Sequence, residues 1–425
     1  MRIQNPLRLL TPALTAFMAG MVLANIAGAM NQSLLPLYVQ SLGADARQIG
    51  LFFSLGAVAP LAFQILGGYV SDSIGRLRAV AIGSVAGCMG YAVYLLAPSW
   101  GWLMVGHMVG SLSVCFVAPS FDAFIAEQST ENTRARVFAM AESIYAVVGI
   151  VGPPIGGFFV QRYGFRAMIA VAVALYLLAT ALRINMAARV REDASRPRFG
   201  LGGVKLSGLR RNLGTIASML LAGGVMTWLF LSDCASDIAF TVTSRFEPIY
   251  EADVIGLRPL QITWVISSFS VVRMLVLPLG GAFADRLGER AGLCLGHLLC
   301  GIGAVLFLLG AEFADFVAVS ALYGTGSALF SPAYQSLVSK EVPAKVRGTA
   351  YGLISTSLGI ASLPAPYVGG LMWERFGPRA PFFLPLVTSF AMAALLWFKL
   401  PARGGAGPGR TAGASSSDTD LHRLR

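Results

Sequence analysis

The strongest constraint on this chain is a row of twelve apolar runs, each near or above the roughly 20 residues that a helix needs to cross about 30 Å of hydrocarbon. They cover approximately residues 12–40, 46–70, 78–97, 101–127, 136–161 and 166–187, then 213–249, 259–284, 290–310, 314–339, 346–373 and 379–400. Only 12% of the 425 residues are charged, about half the fraction usual in soluble domains. Glycines and prolines are scattered through the apolar runs, as in membrane helices. This balance argues against a soluble enzyme, a nucleic-acid module and a disordered chain. The first run is flanked by Arg2 and Arg8, but it far exceeds a signal-peptide core of about 7 to 15 residues and reads as a retained helix. All five cysteines lie in apolar segments with no histidine ligands nearby, which argues against a disulfide framework or a metal site.

The formal net charge of +11 is unevenly placed. With the first residues cytoplasmic, 24 of the 32 Lys and Arg fall on that side or at helix ends facing it, six fall opposite, and Arg245 and Arg273 lie within runs. This is the positive-inside asymmetry, so the charge requires no nucleic-acid partner. The densest group, Arg189 to Arg211, occupies a basic linker at 188–212 between halves at 1–187 and 213–400. Residues 401–425 lack apolar periodicity and read as a disordered cytoplasmic tail. The expected location is the plasma (inner) membrane, multi-pass, with both termini cytoplasmic.

From Gln48 onward, residue n resembles residue n+213 without a gap for more than a hundred positions. Gly68, Asp72 and Gly75 fall on Gly281, Asp285 and Gly288, Pro119 on Pro332, and Arg134 on Arg347. One inserted residue brings Pro36 and Tyr38 onto Pro248 and Tyr250. The matches are in Gly, Pro, Asp and Arg, which apolar composition does not supply. Two six-helix halves repeated in parallel are a transporter architecture with its site near the midplane.

The glycine, aspartate and glycine followed by Arg76 and Arg78, repeated with Arg286 and Arg290 in the second half, resemble the signature loop of the major facilitator superfamily. The resemblance covers about residues 10–400. It implies an all-α integral membrane protein with twelve transmembrane helices in two pseudo-symmetric six-helix bundles, working by alternating access. It also implies that the loops hold the cytoplasmic ends of the halves together in the outward-facing state. Gly68 allows close helix approach, Asp72 suits the positive N-terminal end of a helix, and Arg76 and Arg78 suit acidic partners such as Glu127. Ser73 departs from the family pattern, which commonly has a basic residue there.

Gly152, Pro153, Gly156 and Gly157 in GPPIGG resemble the fifth-helix motif of exporters, especially drug/proton antiporters. Its repeat mate, APYVGG at 365–370, keeps the Pro and the Gly pair. Gly106 stands where that pattern places an arginine in the fourth helix, so coupling through that arginine is not available.

Charges within a span cost at least about 2.5–3.5 kcal/mol each on insertion scales and mark function. Asp233 and Asp237 share a face of the seventh run, while Asp122 and Glu142 lie in the fourth and fifth. A carboxylate moving between a dry interior and an open cavity can take a proton on one side and release it on the other. These four are the proton-coupling candidates; the competing reading is a structural ion pair of Asp233 or Asp237 with Arg245 or Arg273. His107 and His297 read as packed core residues. Cavity walls are expected from the first and fourth helices of each half. Asn31, Gln32, Tyr38 and Phe116 are the candidates in the first half. Trp228, Arg245, Arg273, Phe330, Tyr334 and Gln335 are those in the second.

The function expected is proton-coupled efflux of a small amphipathic organic molecule, a drug or metabolite. The alternatives are proton-coupled uptake of a nutrient or organic anion held by Arg273, or a non-transporting sensor or scaffold. The expected partners are the small molecule, protons and the bilayer, with no nucleic acid, no cofactor and no metal, and a monomer as working unit. No GxxxxGK[ST] loop is present to use ATP. Replacing each of the four carboxylates by its amide should abolish proton-driven uptake into vesicles in at least one variant; unchanged coupling in all four removes the carboxylate mechanism.

Overall fold

The computed structural model describes residues 12–129, 131–189, 218, 223–343 and 347–401. The side chains of 12, 13, 64–69, 72, 73, 122, 128, 131, 132, 134–136, 139, 348 and 349 lie outside that description. So do most of the basic linker and nearly all of the tail. Fourteen α-helices are described: α1 Pro12–Ser41, α2 Ala46–Ile74, α3 Arg76–Leu96, α4 Trp100–Gln128, α5 Glu131–Tyr163, α6 Phe165–Arg189, α7 Val225–Thr243, α8 Glu247–Asp253, α9 Pro259–Leu287, α10 Glu289–Leu309, α11 Phe313–Glu341, α12 Arg347–Ser362, α13 Ala365–Phe376 and α14 Phe383–Lys399. Among the described residues eleven helical stretches are long and apolar enough to cross a membrane. Side chains such as Leu96, Leu279 and Phe398 face outward, as lipid-facing residues must.

The seventh and eleventh apolar runs are each broken into two helices, α7–α8 and α12–α13. Pro248 and Pro366 sit in the first turns of α8 and α13. Proline has no N–H for a helix interior but suits a first turn. The twelfth run begins with a single 3-10 turn, Ala380–Phe382.

The sequence repeat is also a repeat of backbone conformation. Gly43 and Gly256 (φ 88° and 81°), Gly75 and Gly288 (97° and 92°), and Gly164 and Gly377 (83° and 91°) make the left-handed turns between spans. Only glycine enters that region without strain. Helix starts repeat as well: the Asp45 N–H donates to Gln48 Oε1 (3.1 Å) and the Arg258 N–H to Gln261 Oε1 (2.9 Å).

Within the first half α1 packs on α5 and α6, and α3 on α4; within the second, α9 and α10 pack on α11. Between the halves α5 lies on α9, and α2 lies on α13. Both joints depend on absent side chains. Gly156 sits on the Met30 carbonyl of α1 and Gly157 on Leu260 and Thr263 of α9, where a methyl group would overlap. Their repeat mates act alike: Gly369 meets the Val242 carbonyl of α7, and Gly370 meets Ala46 and Arg47 of α2. Gly50 of α2 touches Pro366 in turn.

These joints define a far rim, opposite the end that carries the linker. Hydrogen bonds cross between the halves there: Arg47 N–H to Glu374 Oε1 (3.1 Å), Arg47 Nε to the Tyr367 hydroxyl (3.0 Å) and Tyr367 N–H to Ser54 Oγ (3.1 Å). One hydrophobic core spans both halves, joining Met30, Phe52 and Leu103 to Phe246, Tyr250 and Phe382. Toward the linker rim the described cores are separate, with Phe17, Phe121 and Phe124 in the first half and Leu293, Leu337 and Ile354 in the second. Among the described residues the halves are therefore joined by one core at the far rim and have separate cores toward the linker.

Gly157→Leu and Gly370→Leu should each push a joint open, lowering stability by about 1–3 kcal/mol through overpacking. Alkylation of a cysteine placed at Ser54, which is buried in this state, should rise in both variants.

Candidate functional site

Between the shared core and the linker rim lies a cavity of about 680 Å³. The first half builds most of its wall: α1 brings Asn31 and Gln32, α2 brings Phe53 and Gly56, α4 brings His107 and Ser111, and α5 brings Glu142 and Tyr145. The second half contributes Arg245. Gly56 is open space for the His107 ring, which a Cβ there would strike. That ring is fixed by a 2.8 Å hydrogen bond between Nδ1 and the Tyr94 hydroxyl, and it packs 5.2 Å from Phe52. His107, expected as a packed core residue, thus also faces the cavity.

Arg245 occupies the break between α7 and α8 and reaches across the halves, its guanidinium carbon 4.7 Å from the centroid of the Phe53 ring. A helix break suits this role, since a residue between helices can be aimed where a continuous helix would turn it elsewhere. Arg183, counted among the rim cations from sequence, is instead only 2% exposed. It donates from Nη1 to Ser84 Oγ (2.8 Å), places Nη2 2.9 Å from Met21 Sδ and lines the cavity. Its signal was its place about two turns inside α6, in the apolar stretch LLATALRINMA.

Asn31, Gln32, Arg245 and Glu142 of the expected residues meet at this cavity. Others lie elsewhere for identifiable reasons. Tyr38 is buried in the far core, where its hydroxyl donates to the Tyr94 carbonyl (3.0 Å) and its ring stacks on Phe165. Phe116 packs on Gly83 of α3. Trp228 turns to α14, its ring 4.9 Å from Lys399 Nζ. Arg273 donates to Ser327 Oγ on α11 at 3.3 Å and is not on the cavity wall. Gln335 is exposed. Phe330 and Tyr334 stack on each other within the second half.

Those two rings mark a separate polar group. Asp233 stands beside Tyr334, Asp237 accepts a hydrogen bond from the Ser362 hydroxyl at the end of α12, and Ser232 bonds His297 Nε2 (3.0 Å). Both aspartates stand beside hydroxyl side chains, and neither forms the ion pair with Arg245 or Arg273 that was the competing reading. The Asp122 side chain lies outside the described residues. Two further acids on α8 escaped the sequence reading: Glu247 and Glu251, one turn apart. Glu251 is 4% exposed and its Oε2 has no hydrogen-bond partner; the i, i+4 spacing directly after Arg245 was the available sign.

At the linker rim the signature loops differ in charge arrangement. Gly75 and Gly288 make the turns, while the side chains of Gly68 and Asp72 lie outside the described residues. Arg76 on α3 pairs with Glu127 on α4 at 3.3 Å. At the repeat positions Glu289 pairs with Lys340, the same contact with its signs reversed. Arg290 lies 4.1 Å from the centroid of the Trp397 ring and donates to the Leu400 carbonyl (3.3 Å), tying down α14. Arg78, Asp285 and Arg286 are exposed, and Gly281 has open space around it.

A family model described as Major Facilitator Superfamily matches residues 13–258 and 229–420. The Quinolone resistance protein NorA of Staphylococcus aureus is 21% identical over 363 residues, covering 84% of this chain and 88% of NorA. The Multidrug resistance protein MdtG of Yersinia enterocolitica is 32% identical over 180 residues, covering 41% of this chain and 42% of MdtG. A solved bacterial homologue of the iron transporter ferroportin, in an inward-facing state, gives a TM-score of 0.72 at 15% identity, covering 92% of this chain and 98% of that one.

The reversed pairs differ in how they suit the helix dipoles. Glu289 opens α10 and Lys340 closes α11, both favourable, whereas Arg76 opens α3 and Glu127 closes α4, both unfavourable. Arg76→Glu or Glu127→Lys alone should lower thermal stability, because like charges then face each other. The double swap should recover wild-type stability to within about 1 kcal/mol, the scale of an exposed pair, in a thermal-unfolding double-mutant cycle.

Proposed function

The chain belongs to the major facilitator superfamily, and from that premise we propose that it exports a small amphipathic organic molecule in exchange for protons. The family makes it a multi-pass membrane transporter and not an enzyme. The carrying observation is the asymmetric closure: symmetric glycine joints seal the far rim while the cores part toward the linker, with a cavity between. With the basic linker cytoplasmic, as the positive-inside rule orients it, this is an inward-facing state. Rocking one six-helix half about the glycine joints would exchange it for the outward-facing one, the signature loops then meeting at the linker rim.

Export is supported by the relatives whose names record multidrug and quinolone resistance. The GPPIGG motif adds less, because APYVGG makes the mirrored joint in the other half and the glycine pair thus belongs to the repeat. Coupling is supported by Asp233 and Asp237, two carboxylates within one span that stand beside hydroxyl side chains and form no ion pair with Arg245 or Arg273. One charge moved through about 100 mV supplies about 2.3 kcal/mol. The working partners are the transported molecule, protons and the plasma-membrane bilayer, with one chain as the working unit.

Sided proteoliposomes with an imposed pH gradient and a fluorescent quinolone as probe test the reading. Acid-loaded vesicles should accumulate the probe and lose their gradient faster. Accumulation only under the reversed gradient makes the protein a symporter and overturns export. Movement indifferent to the gradient in both directions removes proton coupling.

A further inference from the structure

Among the described residues Arg245 is a cation without a counter-charge. Its Nε is buried with no hydrogen-bond partner, and among the described residues no carboxylate forms an ion pair with it. A guanidinium keeps its charge at every physiological pH and offers five donors. Stacking over Phe53 supplies about 0.5–2 kcal/mol, whereas taking an ion out of water costs several. The deficit is not confined to one residue. Arg183, on the same cavity, has its Nε buried and unpartnered and no ion-pair partner among the described residues.

The rest of the wall has the same bias. Among the described residues lining the cavity Glu142 is the one acid, and it is exposed. Among the described residues two guanidiniums therefore face one solvated carboxylate, a balance that repels organic cations and favours anions. Asn31 adds a buried amide, 6% exposed, whose Oδ1 has no partner. The remaining surface carries Phe53, Tyr91, Val114 and Phe121, suited to an apolar body. The volume, about 680 Å³, falls within the roughly 300–1,000 Å³ typical of small-molecule sites.

We propose that the cavity takes a small amphipathic organic anion, its carboxylate paired with the Arg245 guanidinium and its apolar body along the aromatic wall of the first half, which also carries Asn31. This rests on the transport reading and supplies its substrate class. Arg245 belongs to the second half and nearly all of the remaining wall to the first, so the bound anion bridges the two bodies that move. A carboxylate accepts two parallel hydrogen bonds from a guanidinium, which sets orientation as well as charge. An N–H or hydroxyl on the anion would satisfy Asn31 Oδ1.

The test uses the purified full-length protein in lipid nanodiscs and matched probes: benzoate, 1-naphthoate and dodecanoate, each with its neutral amide and its primary amine. Binding is read by calorimetry. At least one carboxylate should bind about tenfold or more tighter than its amide and amine, the worth of one charge-assisted pair. Arg245→Gln should erase that preference while leaving the affinity for the amide unchanged. Should Arg245→Gln fail to fold, Arg245→Lys carries the test: it keeps the charge, loses the fork, and should weaken carboxylate binding selectively. Amides or amines binding as well as carboxylates, carboxylate affinity unmoved by either variant, or no binding of any carboxylate overturns the proposal. Gradient-driven flux in proteoliposomes separates the two readings. Carboxylate-selective binding without flux overturns transport of this class and leaves the anion site, whereas flux of neutral or cationic probes that ignores Arg245 overturns the anion site and leaves transport.

Discussion

In a bilayer the lipid chains are as apolar as leucine, so two halves of a membrane protein gain little by burying hydrophobic surface against each other. What holds them is close contact, and close contact requires that side chains be missing. The pairs Gly156–Gly157 and Gly369–Gly370 meet that requirement twice, once in each half, each pair seating one glycine on its own half and one on the other. The closed far rim, the continuous core behind it and the cavity in front of it all follow from those two contacts. Because the contacts are made by backbone and small atoms, they also form a hinge-like surface rather than an interlocked one, suited to rocking.

The second determinant is where the chain allows itself polarity. The broken seventh run places Arg245 in a short irregular segment, aimed over an aromatic ring of the opposite half. The broken eleventh run ends α12 at Ser362, whose hydroxyl meets Asp237. Irregular backbone and intramembrane charge thus occur together, as expected where a span lines a cavity rather than lipid. Cations gather on the cavity of the first half, and acids on α7 of the second. The proposed anion and the proposed proton therefore have separate addresses.

Much of this was legible before any coordinates. The spans, their ends, the 213-residue repeat and the turn glycines are one-dimensional facts, since hydrophobic length and glycine punctuation act locally. Glu127 was recognisable as the partner of Arg76 because ends of neighbouring helices meet at a rim. Its mirror image, Glu289 with Lys340, lies at the same offset but with the signs exchanged, so likeness of residues between the halves does not reveal it. Tyr38, Phe116 and Trp228 were assigned to the cavity from their helices alone. A helix offers every direction around its axis, and those three point to Tyr94, Gly83 and α14 instead.

Arg183 shows the same limit from the other side. In sequence it resembles a rim cation near the end of a span, and only the packing of α6 against α1 and α3 puts it on the cavity with 2% of its surface exposed. The sequence by itself determined that this chain crosses a membrane many times, in two related halves, with its basic linker on one side. Length, hydropathy and repetition carry that information, and the bilayer enforces it. Which charges face each other, and that the described cores join at one rim and stay separate toward the other, depended on the rotation of each helix about its axis. Rotation is set by contacts between residues far apart in the chain, here between glycines of one half and backbone of the other, and no local pattern encodes it.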